Sequence, residues 1–87
     1  MTAPDYAAMT DAEINRLCAE RVGWTESELP PLSVMLRRAT ELGREDHFQV
    51  YLRDIVGRNG LGLNSLIRVA TPRQHAEAFL RATEGVK

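Results

Sequence analysis

Thr71-Pro72-Arg73-Gln74 constrains this chain more than any other four residues, because it starts a helix at a defined position. The Thr71 hydroxyl can accept from the backbone N–H three residues on. The Gln74 side chain can reach back to the Thr71 N–H, and Pro72 presets the dihedral of a first helical turn. Ala76, Phe79 and Leu80 then supply an apolar stripe, and Gly85 ends the helix.

The residues before that helix read as a β-hairpin. Phe48, Val50 and Leu52 alternate with Gln49, Tyr51 and Arg53, the period of a strand with one buried side. Asn59-Gly60 is a preferred dipeptide for a two-residue hairpin turn, where both positions take positive φ. Closing the turn there sets Val56 opposite Leu63, Asp54 opposite Ser65, Leu52 opposite Ile67 and Val50 opposite Val69. Apolar meets apolar at every pair but Asp54 with Ser65, and opposite residues share a face. Strands are therefore expected over 47–56 and 63–70, with Gly57 and Gly62 pointing to a bulge or a wider loop at the tip.

The front of the chain is helical. Thr10 and Glu13 form a second capping box, and Ile14, Leu17, Cys18 and Val22 recur on one face until Gly23 stops a helix over 11–22. Trp24 follows, where its ring can fold back over the helix end. Pro30-Pro31 opens another helix, whose core face is Leu32, Met35, Leu36, Ala39 and Leu42 and whose stop is Gly43. Residues 1–9 show no helical stripe and are expected as a flexible leader, with Met9 an alternative start. The expected fold is α+β, a single domain over 10–85 in the order α-α-β-β-α, its antiparallel hairpin flanked by helices.

Composition bounds what such a domain can do. At 87 residues there is room for one modest core, and a domain this small gains from self-association. Cys18 is the sole cysteine, which excludes an internal disulfide, and neither it nor the two histidines have zinc-ligand spacing. A cytoplasmic protein without metal or cofactor is expected. No apolar run reaches the length of a membrane span, and the N-terminus lacks the segments of a signal peptide. A net charge of −1 gives no broad electrostatic grip on nucleic acid.

Chemistry is sparse. His47, beside Asp46, and His75 could each act as a base, but neither has an evident partner in sequence. Ser33, Ser65 and Cys18 lack the converging groups of a hydrolytic triad, so no enzyme is expected. The glycine-rich Gly57 to Gly62 joins two expected strands and lacks the following helix that helps hold a phosphate. Tyr51, Arg53 and Arg68 fall on the hairpin face opposite Val50, Leu52 and Ile67, with Arg58 at the tip. They form a candidate basic, partly aromatic platform for single-stranded nucleic acid or a nucleotide. The two free edges of the hairpin could instead pair with a second copy or capture another protein.

Three segments carry a resemblance: Met9 to Trp24, Pro31 to Leu42, and Ala70 to Arg81. Together, over residues 9–84, they resemble the phage ABA sandwich domain, small proteins of bacteriophages and prophages whose helices flank a short sheet. The resemblance implies the fold and a viral context; together with the small size, the free edges and the lack of catalytic groups, it leads to the expectation of a phage accessory protein in the host bacterial cytoplasm that binds a host protein, such as a defence component, with virion assembly as an alternative. It implies no catalytic residue.

Overall fold

The structure, a computed structural model, describes residues 5–24, 29–57, 60 and 62–84. A 3₁₀ turn at Tyr6–Ala8 precedes five helices: α1 Asp11–Val22, α2 Leu32–Glu41, α3 Glu45–Val56, α4 Leu63–Val69 and α5 Pro72–Ala82. Among the described residues there is no strand. The α+β order and the sandwich architecture are therefore overturned, and with them the sheet edges through which a second copy was expected to pair.

The two expected strands are helices α3 and α4, and the reason lies in which apolar residues the core takes. Phe48 and Leu52 are fully buried, and Tyr51, Ile55 and Val56 pack against them, a spacing of three and four residues. The strand reading needed Val50 beside them, yet Val50 is 57% exposed. In α4, Leu66 is buried and Leu63 and Ile67 are partly so, whereas Val69, the residue expected opposite Val50, is 44% exposed. Glu45 and Asp46 lie in the first turn of α3 and Arg53 in its last, each matching the helix macrodipole. Gly57 closes α3 at φ +77°, its N–H donating to the Arg53 carbonyl at 2.9 Å. Positive φ does recur in the connection, at Gly60, but it joins two helices instead of turning a hairpin. Asn59 lies outside the described residues.

The last helix is the hub. Helix α5 packs against α1, α2, α3 and the 3₁₀ turn, while α4 lies on α3. Seven of its eleven residues are buried: His75, Ala76, Glu77, Ala78, Phe79, Leu80 and Ala82. The expected stripe of Ala76, Phe79 and Leu80 is part of this, but three alanines let neighbouring helices approach from further sides. Its start follows the expected chemistry, with Gln74 N–H donating to the Thr71 hydroxyl and Thr71 N–H to the Gln74 side chain. Arg21 of α1 serves the other end, donating to the Leu80 carbonyl at 2.6 Å and the Thr83 hydroxyl at 2.7 Å.

Residues 5–9, assigned on sequence to the leader, contribute to the core. Tyr6 is 2% exposed, and burying a ring of that size is worth about 1.5–3 kcal/mol. Arg73 of α5 holds this segment through its backbone, donating to the carbonyls of Tyr6 and Met9 while pairing with Asp11 and, at 3.6 Å, with Glu77. A guanidinium fits such a hub because its planar fork offers five N–H donors at fixed angles. Among the described residues no helix is long and apolar enough to cross a membrane.

A candidate recognition cleft

The residues nominated on sequence do not converge. Tyr51 and Arg53 both belong to α3, and two positions along an α-helix are about 200° around its axis, so they leave from opposite flanks. Tyr51 is half-buried against the core. Arg53 is also half-buried, and its Nε finds no hydrogen-bond partner among the described residues. Arg68 is exposed in the last turn of α4. Arg58 lies outside the described residues. The platform needed a pleated sheet to align these side chains, and α3 and α4 do not provide one.

Two hollows of the described surface bear on function. The smaller, about 280 Å³, is bounded by Asp46, His47, Val50 and Tyr51 on the outer side of α3. Arg44 and His47 approach there to 3.3 Å between Nη1 and Nε2, and since guanidinium can only donate, the ring nitrogen accepts.

The larger hollow is a cleft of about 540 Å³, within the usual size range of ligand sites. Leu29, Pro30 and Pro31 of the α1–α2 connection form one part of its wall, Leu32 and Met35 of α2 another, and Pro72 and His75 of α5 the third. Local sequence accounts for each part. Pro31, at φ −57° and ψ 150°, turns the chain from extended geometry into α2. The spacing of Leu32 and Met35 then brings both to one side of the helix. Pro72 stands at the first position of α5 and His75 one turn later, on the same face.

Among the described residues of that wall, His75 is the one titratable group, and it is 8% exposed. Its Nε2 lies 3.1 Å from the Ile67 carbonyl. A carbonyl only accepts, so Nε2 carries the hydrogen. Burial pushes the imidazole pKa down, and the bond to Ile67 opposes that only in part, so the ring is neutral at pH 7. A neutral ring protonated at Nε2 leaves Nδ1 as an acceptor. His75 was singled out on sequence as a base without a partner. Its actual partner is the carbonyl of a segment read there as strand, which hid the pairing.

Nucleophiles are poorly placed. Cys18 is fully buried, its thiol donating weakly to the Ala76 carbonyl at 3.9 Å, and burial pushes its pKa up to about 12 despite nearby Arg21. A thiol so held stays protonated and inert at neutral pH. Ser33 and Ser65 are exposed, and among the described residues no group of His, Cys, Asp and Glu could hold a metal.

Over the described residues, fold and cleft together define a small helical protein with a proline-walled apolar hollow and a buried histidine. Compared with protein families, characterised proteins and solved structures, the chain matches none.

Proposed function

We propose that this protein is a non-catalytic recognition module that works by binding another protein, and that the cleft between the α1–α2 connection, α2 and the start of α5 receives a side chain of that partner. The observation that carries the reading is the composition of the wall among the described residues: six apolar side chains, three of them prolines, with His75 the one polar group among them. Concave, mainly apolar surfaces with a few placed polar groups are the usual form of binding sites. Prolines and a helix start hold this one in shape before binding, so little conformational entropy is lost when it fills. The inert Cys18 thiol and the hydrogen-bonded His75 Nε2 favour recognition over covalent chemistry. Tyr51 and Arg53 leave α3 from opposite flanks, which disfavours a nucleic-acid platform.

The test is positional crosslinking in a nuclease-treated lysate of the cells the protein comes from. A photo-crosslinking residue at Leu32, in the cleft wall, should yield one defined protein adduct, and the same residue at the exposed Glu41 should not. Equal adducts from both positions, or adducts lost with nuclease, would reject the proposal.

A further inference from the structure

Of the five helices, α4 is the most lightly held. It has seven residues, of which Leu66 alone is fully buried, while Asn64, Ser65, Arg68 and Val69 are exposed. Gly62 stands at its N-cap and has no side chain to serve the first backbone N–H groups, and its first turn carries no acidic residue. A helix so short and so poorly capped does not persist by itself, so its order comes from docking.

That docking is slender. Helix α4 lies on α3, with the partly buried Leu63 and Ile67 beside Leu66. Among the described residues a single hydrogen bond ties it to another helix, from His75 Nε2 to the Ile67 carbonyl at 3.1 Å, and no ion pair does. The equally short segment at Tyr6 has a firmer hold, since Arg73 donates to two of its carbonyls. Both flanks of α4 leave it room to move. At Gly57, Gly60 and Gly62 no described atom lies within 4 Å of where a Cβ would stand, so close packing does not fix that connection. On the other side the chain leaves α4 extended at Ala70, ψ 147°, and α5 begins on its own capping box, which takes nothing from α4.

We propose that α4 is a lid, latched by His75, that undocks from α3 and unwinds as one unit while α1, α2, α3 and α5 keep their packing around α5. Openings of this kind lie between terminal fraying and global unfolding in free energy. Opening bares Leu66 and the flank of α3 beneath it, an apolar surface that the closed form conceals. This device is separate from the cleft reading and stands or falls without it.

The experiment is native-state hydrogen exchange of the unaltered chain in sub-denaturing urea, read by NMR. The amides of Leu66 and Ala70, which donate to the Gly62 and Leu66 carbonyls, should share one opening and be protected about tenfold less than those of Leu52 in α3 and Phe79 in α5. Their urea dependence should be smaller than that of Leu52 and Phe79 but above zero, because surface is exposed when the lid leaves. Equal protection and equal urea dependence would mean that α4 opens only when everything does, and zero dependence would mean fraying; either overturns the lid. A second readout uses the sole native cysteine as the control. In Leu66→Cys the introduced thiol should react with a disulfide reagent about tenfold faster than the buried Cys18, and equal rates again overturn the lid. The latch is tested by His75→Leu, which should quicken α4 opening several-fold. A variant that quickens only the global opening, or that does not fold, makes His75 a packing residue of the core and overturns the latch.

Discussion

At the residue scale the chemistry turns on side chains whose partners lie in other elements of the fold. His75 meets the carbonyl of Ile67, in a different helix, and Arg73 meets backbone more than sixty residues away at Tyr6 and Met9. Neither partnership follows from local pattern. The sequence reading therefore found His75 but not its tautomer, and it took Arg73 only as part of a helix start. The histidine has a consequence in pH. Its folded pKa lies below the ordinary 6.5, so between those two values the unfolded chain binds a proton that the native chain does not. The contribution of His75 is complete above pH 6.5 and is lost as pH falls towards the lowered folded value. Thermal midpoints measured from pH 7.5 to 5.5 should fall more steeply for the native protein than for His75→Gln, which cannot titrate. Parallel curves would place the ring in a solvated setting.

At the element scale, helix starts and stops were legible and the period of the middle was not. Thr10, Thr71, Gly23 and Gly43 mark their boundaries because capping acts through groups within a few residues of each other. Between residues 48 and 56 the apolar positions fit both periods: Phe48, Val50 and Leu52 alternate, while Phe48, Leu52, Ile55 and Val56 follow a helix. The acidic first turn at Glu45 and Asp46, and Gly57 after Val56, favoured the helix, and the hairpin dipeptide drew the reading away from them. Substitution separates the two periods directly. Val50→Ala should change stability by no more than about 0.5 kcal/mol, as surface changes do, while Phe48→Ala should cost about 3–5 kcal/mol. Urea unfolding measures both, and a strand with its face on Phe48, Val50 and Leu52 would make both costly.

At the scale of the whole molecule, the fold is organised around α5, and much of what binds the N-terminal segment to it passes through Arg73. Its contact with Asp11 is the least of these, since that carboxylate is 83% exposed and an exposed pair is worth about 0–1 kcal/mol. The backbone carbonyls of Tyr6 and Met9 and the largely buried Glu77 carboxylate matter more, because each would lose a charged partner in a poorly hydrated place. Arg73→Met is thus expected to cost about 2–3 kcal/mol and Asp11→Asn under about 1, with hydrogen exchange quickening first around Tyr6 in the former. Equal costs would mean that the ion pair alone ties the segment down. The sequence could not announce this arrangement, because the stripe of Ala76, Phe79 and Leu80 shows only one of the sides from which α5 is covered.

The position of that helix in the chain also orders how the protein comes into being. A ribosome releases α1, α2 and α3 before the element they pack around exists, so until α5 is made Phe48, Leu52 and Ile14 have no Phe79 or Leu80 to meet. Chains grow at about 5–20 residues per second. For that interval, until α5 emerges, the nascent polypeptide shows its greasy faces to chaperones and to other nascent copies.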